Sequence, residues 1–156
     1  MTGFNSNLNE LIVRFKAIKT GSQQVDFSDA LVLGVNAAKG SMQNRIFNQG
    51  LDAKGVTLGP YISKQYKKKR QKPPKKQILY KDLEFSGTLR RGIVVIKETP
   101  TSVICAIPND KLIVIARGQE EYLKTLIFAL SDSERKLMVT NVHAAIKQIY
   151  DRLFNP

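Results

Sequence analysis

Residues 53–81 carry ten lysines and arginines and no aspartate or glutamate, and this stretch most constrains how the 156-residue chain folds. It supplies +10 of a formal net charge of +12, so the rest of the chain is close to neutral. Like charges at this density repel one another and favour an extended, solvent-exposed segment. The concentrated charge therefore indicates a polyanionic or acidic partner. The ten residues are Lys54, Lys64, Lys67, Lys68, Lys69, Arg70, Lys72, Lys75, Lys76 and Lys81.

Nine of these ten basic residues lie within residues 51–78, which show no sustained apolar periodicity and are interrupted by Gly55, Gly59 and two consecutive prolines. Loops longer than about 12–15 residues are uncommon in compact domains and are usually functional or disordered. We interpret residues 51–78 as an extended basic arm. Tyr61, Ile62 and Tyr66 are predicted to dock its base onto the body, while residues 67–76 project.

Helices are predicted on both sides of this arm. Residues 8–18 are apolar and are assigned to a helix within an N-terminal segment, residues 1–25, whose role stays open. A second helix follows Asp26 or Ser28 as a capping residue and ends at residues 48–50. The last helix, residues 131–154, begins with a Ser-x-x-Glu capping box. Its apolar stripe serves either the core or a subunit contact, and it comprises Met138, Val142, Ala145, Ile146, Ile149 and Leu153.

Between the arm and the last helix, residues 79–116 contain three β-branched runs, at 92–96, 102–107 and 112–116, separated by turn residues. This pattern predicts a small antiparallel sheet, followed by a short helix within 119–129. With 42% hydrophobic residues the chain has enough apolar side chains for a core. The fold class is therefore predicted as α+β, a single domain over 1–156 with two or three helices packed on the sheet.

Groups suited to catalysis are scarce. The one histidine, His143, lies mid-helix, and the one cysteine, Cys105, lies in an apolar run where a buried thiol is expected. Asp82 and Glu84 are the one close acidic pair that a strand would place on one face, but ion pairing with Lys81, Arg90 and Arg91 explains them better. We predict no catalytic residue, no metal and no cofactor.

No apolar run reaches the ~18 residues of a membrane span, and the first residues lack the pattern of a secretory signal. A soluble protein of a reducing cytoplasm with no membrane partner is expected. The predicted contacts to nucleic acid or a protein partner are Lys64, Lys67, Lys68, Lys69, Arg70, Lys72, Lys75 and Lys76. Such contacts are largely sequence-independent and strongly dependent on salt.

The order of these features resembles the tail-completion, or virion-morphogenesis, proteins of tailed bacteriophages. The resemblance covers roughly residues 27–153. It rests on a Gly-Pro-Tyr and lysine stretch, on Phe85-Ser86-Gly87-Thr88-Leu89 followed by Ile93, and on the Leu-Ser-x-x-Glu start of the last helix. Residues 116–118 are a poor substitute for the aromatic and glycine segment that this family has after its sheet.

The resemblance implies a non-enzymatic virion subunit, made in the bacterial host cytoplasm and placed in the neck or tail. It implies a ring of six or twelve copies around the DNA path, contacting neck, portal or tail proteins and possibly double-stranded genomic DNA. Tyr61, Tyr66, Met138, Val142 and Ile149 are the expected interface residues between copies. The alternative is a cellular protein that binds DNA or structured RNA through the basic arm as a monomer or dimer.

Overall fold

The computed structural model describes residues 26–72, 77–83 and 87–154, with the side chains of residues 153 and 154 left out. The predicted helix at residues 8–18 lies outside the described residues. Helix α1 (Ser28–Gln43) continues into a π-helix (Asn44–Gln49), and α2 (Lys64–Arg70) and α3 (Thr88–Arg91) precede a hairpin of β1 (Val94–Thr99) and β2 (Ser102–Ala106). Helices α4 (Asp110–Leu123) and α5 (Asp132–Phe154) complete the element order. The predicted α+β fold with a small antiparallel sheet is confirmed.

Helix α1 forms where the apolar periodicity predicts it. Asp26 accepts a hydrogen bond at 2.7 Å from the backbone N–H of Ser28, which satisfies one amide at the helix start. At the other end, the wider π-helical turn turns three consecutive residues inward, and Arg45, Ile46 and Phe47 are all buried. Gly50 then ends the element in a left-handed conformation, with φ of 66°.

Helix α5 packs along α1, and the predicted capping box opens it. Ser131 Oγ accepts a hydrogen bond from the N–H of Glu134 at 3.3 Å, and Glu134 Oε2 accepts one from the N–H of Ser131 at 2.8 Å. The two helices approach closely at Gly34. A Cβ placed there would lie 2.7 Å from the carbonyl oxygen of Met138 and would overlap the side chain of Val142. The absent side chain is therefore what permits this packing distance.

The third predicted strand is wrong, because residues 112–116 lie within helix α4. Asn109 begins this helix, its Oδ1 accepting hydrogen bonds from the amides of Lys111 and Leu112 at 3.0 and 3.3 Å. Within α4 the most buried residue is Ala116, and Leu112 lies four positions earlier on the same face. The predicted helix over 119–129 is confirmed only for residues 119–123, the end of α4, because the helix stops before Lys124, which has φ of 52°. Residues 124–129 are not helical. The β-branched residues at 112–116 favoured a strand prediction, but the buried positions in this segment recur at helical spacing.

The hydrophobic core lies between the α1 and π-helix segment, α3, α4 and the residues after α4. Eight buried residues form it: Met42, Ile46, Phe47, Leu58, Leu89, Ile93, Ala116 and Ile127. The prediction that the Cys105 thiol is buried is wrong: this residue is exposed on β2, at the edge of an open, mostly apolar cavity of about 640 Å³. Partial desolvation there raises the pKa of the thiol.

A buried ion pair joins the π-helix to the start of α5. Arg45 Nε donates to Glu134 Oε1 at 2.8 Å, and both side chains are almost fully buried. The Arg45 guanidinium also donates to the carbonyl oxygens of Leu51, Ile127 and Ala129, at 2.8 to 3.2 Å. One side chain thus connects three separate parts of the chain. Because its donors are engaged, its charge is accommodated inside the fold.

Candidate polyanion-binding surface

The basic arm contains a short helix, α2, rather than the irregular segment that the sequence predicts. Ser63 begins it, its Oγ accepting a hydrogen bond from the N–H of Tyr66 at 3.2 Å. The last turn holds Lys67, Lys68, Lys69 and Arg70. Positive side chains at this end interact favourably with the helix dipole, which offsets part of their mutual repulsion.

The exposed face of α2 and the residue after it carries the predicted lysines. Lys64, Lys68, Lys69 and Lys72 are exposed, and Lys67 is half-buried. Lys64, Lys68 and Lys72 recur every four residues, a spacing that places side chains on one side of a helix. Lys75 and Lys76 lie outside the described residues. The described part of the arm therefore presents a compact row of ammonium groups to solvent.

Arg70 does not belong to this row, and its prediction as a nucleic-acid or partner contact is wrong. Its side chain is fully buried, and its Nη2 lies 2.8 and 2.7 Å from the two carboxylate oxygens of Asp82. Arg70 Nε donates to the carbonyl oxygen of Gln77 at 3.1 Å. The sequence predicts an ion-paired Asp82, and the structure confirms this, with Arg70 as its partner instead of Lys81, Arg90 or Arg91.

Tyr61 and Gln77 complete this ion pair to form what we call the anchor cluster, Tyr61, Arg70, Gln77 and Asp82. Tyr61 Oη donates to Asp82 Oδ1 at 2.9 Å, and Gln77 Nε2 donates to Asp82 Oδ2 at 2.9 Å. The Arg70 guanidinium lies 4.7 Å from the ring centroid of Tyr61. Burial raises the pKa of Tyr61, and the adjacent Asp82 carboxylate raises it further. The Tyr61 hydroxyl therefore stays protonated and remains a donor.

The anchor cluster is tied to the body of the protein. The backbone N–H of Lys81 donates to the carbonyl oxygen of Gly59 at 2.8 Å, which joins the chain before α2 to the chain after it. The Lys81 ammonium lies 5.2 Å from the ring centroid of Tyr122 on α4. Two contacts therefore hold helix α2 in place: the buried Arg70–Asp82 ion pair and the backbone hydrogen bond between Lys81 and Gly59.

The predicted interface residues fall into two groups. The rings of Tyr61 and Tyr66 contact each other in a tilted arrangement, with 5.1 Å between centroids, and line an open groove of about 600 Å³ between α2 and α4. Val142 instead lies against Gly34 of the same chain, and Met138 lines the cavity that also contains Cys105. Ile149 is half-buried on α5. Val142 therefore has a partner within the chain, whereas the two tyrosines lie at an accessible surface.

Sequence reasoning did not identify the groove. Ile62 and Tyr66 from the arm form one side of it, and Ile115, Gln119 and Tyr122 from α4 form the other. The spacing of Ile115, Gln119 and Tyr122 is the signal that could have found it, since positions i, i+4 and i+7 share one helix face. The expectation of a strand at 112–116 concealed that spacing.

The described residues contain no cluster suited to metal binding. Over 26–72, 77–83 and 87–154, no three histidine, cysteine, aspartate or glutamate side chains lie close enough together to hold a metal ion. His143, which was expected to be structural, is exposed on α5. Glu84 lies outside the described residues. None of the described helices combines the length and apolar character needed to cross a membrane.

Comparison of the chain with protein-family models, curated proteins and solved structures finds no match. The basic helix, the anchor cluster and the groove are the features of the structure that bear on function.

Proposed function

We propose that this protein is a structural virion subunit of a tailed bacteriophage, a neck or tail-completion ring subunit that lies between the head-to-tail connector and the tail. In this proposal it has no enzymatic activity and assembles in the bacterial host cytoplasm. Its partners are copies of itself, neighbouring neck, portal or tail proteins, and the double-stranded DNA that passes through the ring. Ring closure brings several copies of α2 together around one axis.

The observation that carries the proposal is the anchored basic helix. A solvated lysine-rich loop needs no support, yet here a buried Arg70–Asp82 pair holds α2 in one position. Burying a charge pair is costly and does not by itself favour a fold. A role in positioning the lysines accounts for this arrangement. In a ring, the fixed lysine rows of several copies add up to a positive electrostatic potential that one mobile arm does not create.

The resemblance to tail-completion proteins depends mainly on the segment before the sheet, which in the structure contains the short helix α3 with Gly87 at its start. Gly87 has φ of 74°, a left-handed conformation that favours glycine. Leu89 and Ile93, the apolar positions of the resembling segment, are both buried in the core cluster. Phe85 and Ser86 lie outside the described residues.

The alternative is a protein unrelated to phages that binds DNA or structured RNA through the same helix. The exposed lysine row favours it as directly as it favours the ring subunit, since phosphate contacts do not require a ring. Oligomeric state separates the two, because this alternative binds as a monomer or dimer.

The contribution of the lysine row to DNA binding can be measured with two matched variants. One carries Lys64→Gln, Lys68→Gln and Lys72→Gln. The control carries Lys124→Gln, Lys136→Gln and Lys147→Gln, three exposed lysines elsewhere, and loses the same charge. Affinity for a fluorescent 30-base-pair duplex is measured by anisotropy across a salt series. The logarithm of the binding constant falls linearly with the logarithm of the salt concentration, and in the first variant the magnitude of this slope should decrease by about 0.9 for each lysine that contacts a phosphate.

The control variant should retain most of the wild-type slope. Equal losses in both variants would show that net charge alone attracts the duplex, which would contradict a dedicated DNA contact by α2. Unchanged binding in the α2 variant would do the same and would leave an acidic protein neighbour as the partner of the arm.

A further inference from the structure

The groove between α2 and α4 continues onto an exposed apolar surface. Ile62 is 78% exposed, Ile115 49% and Tyr122 67%, and all three line the groove or its edge. Val114, the neighbour of Ile115 on α4, is 69% exposed. A contiguous exposed apolar patch with tyrosines is typical of a protein–protein interface.

The charges at the edge of this groove restrict what occupies it. Lys64 lies directly after the groove residue Ser63, and Lys81 is itself part of the lining. If two copies met through this same face, their basic helices would be brought together, and like charges across an interface are costly. A second copy therefore has to present a different face, one that combines an apolar side chain with acidic ones.

The start of α1 has that composition. Asp26 and Asp29 are exposed, and Leu33, one helical turn after Asp29, is 54% exposed. Lys97 Nζ lies 2.6 Å from Asp29 Oδ1 and offsets one of these two charges. The start of α1 therefore keeps a net negative charge, opposite in sign to the basic arm.

We propose that the groove of one copy receives the start of α1 of a second copy. Leu33 enters between Ile115 and Tyr122, and Asp26 and Asp29 lie opposite Lys64 and Lys81 at the groove edge. Such a contact joins two different faces and propagates head to tail, closing into a ring where the rotation between copies permits. The inference rests on the proposed ring function and names its self-association surface.

Two variants disable one face each. Ile115→Glu places a negative charge in the groove, opposite the acidic face of the next copy, and Leu33→Lys places a positive charge opposite the basic groove edge. Val139→Lys serves as the matched control, because Val139 is an exposed apolar residue on α5, 46% exposed. Circular dichroism spectra and melting temperatures establish that each variant folds. Masses are measured by light scattering behind size exclusion.

We expect wild type and Val139→Lys to form a multi-copy oligomer, and each disabled variant to elute as the 17.5 kDa monomer. An equimolar mixture of the two disabled variants should give a discrete dimer of twice that mass, because one intact groove meets one intact α1 start. An oligomer that both substitutions leave intact would overturn this interface while leaving the ring function standing, as would a mixture that stays monomeric. A monomeric wild type would instead refute the ring function itself.

Discussion

Removing the Arg70 side chain tests whether the anchor cluster holds the basic helix. Arg70→Met keeps an unbranched side chain of similar length and removes the charge. Asp82 is then left as a carboxylate with 4% of its side chain exposed, and it keeps the hydrogen bonds from Tyr61 and Gln77. Breaking a buried ion pair from one side costs about 3–5 kcal/mol. Since two neutral donors remain, the loss should lie near the lower end, about 3 kcal/mol.

Urea unfolding followed by circular dichroism measures this loss as a shift of the midpoint at constant slope. Lys68→Met is the control, because Lys68 is exposed on the same helix, and its effect should stay within about 0.5 kcal/mol. The double variant Arg70→Met with Asp82→Leu removes both charges and should recover much of the stability. Its loss of stability should therefore be smaller than the sum of the losses in the two single variants. Hydrogen exchange at the amide of Lys81, which is bonded to Gly59, reports whether the arm detaches locally.

A loss below about 1 kcal/mol for Arg70→Met, without faster exchange at Lys81, would refute the anchoring argument. It would mean that the pair is not needed to hold α2 against the body. An equally large loss in the Lys68→Met control would refute it in another way, since the effect would then belong to the helix and not to the buried pair.

Gly34→Ala should destabilise the protein by about 1–3 kcal/mol, because the new Cβ meets the carbonyl of Met138, whereas Gly40→Ala, with open space around its Cβ, should stabilise α1 by about 0.5–1 kcal/mol. Thermal melts measure both, and equal effects would contradict the close helix packing. Burial of Asp52 raises its pKa, but hydrogen bonds from Thr125 and two backbone amides outweigh it and hold the pKa below 3.8. The ionised Asp52 therefore stabilises the fold at pH values above its pKa in the unfolded chain. This stabilisation is lost as the pH falls through its lower pKa in the folded protein. Asp52→Asn should destabilise at neutral pH, with the difference from wild type shrinking below about pH 4. A difference that stays constant with pH would show that the charge is not involved.

The two long helices were predicted because the sequence signals for them lie within a few neighbouring residues. The apolar period of α1 and the Ser131 to Glu134 capping box each lie within a few residues, and both are present in the structure. The sheet was predicted in part. Two of the three β-branched runs pair as a hairpin, while the third lies in α4, where its burial follows a helical spacing. Composition favoured a strand, and tertiary packing overrode it.

The exposure of the lysines in the described part of the arm agrees with the sequence prediction, whereas the buried contacts that support them were not predicted. The density of lysines predicts a contact surface in the arm, because charge is visible in the sequence. The role of Arg70 was not visible, since within a run of basic residues nothing local separates the one buried side chain from the exposed ones. Its partner Asp82 is twelve positions away, and only the folded arm brings the two together. The same holds for Arg45 and Glu134, which lie on different helices.

The solution mass tests most directly our proposal that the protein is a ring subunit with a DNA-facing basic helix. Light scattering behind size exclusion gives the mass at low salt and at about 0.5 M salt, where charge interactions beyond a few ångströms are screened, with and without duplex DNA. We predict a closed oligomer that persists at high salt and binds the duplex at low salt. A 17.5 kDa monomer under all four conditions, or one that associates with DNA only at low salt and never oligomerises, would contradict the account.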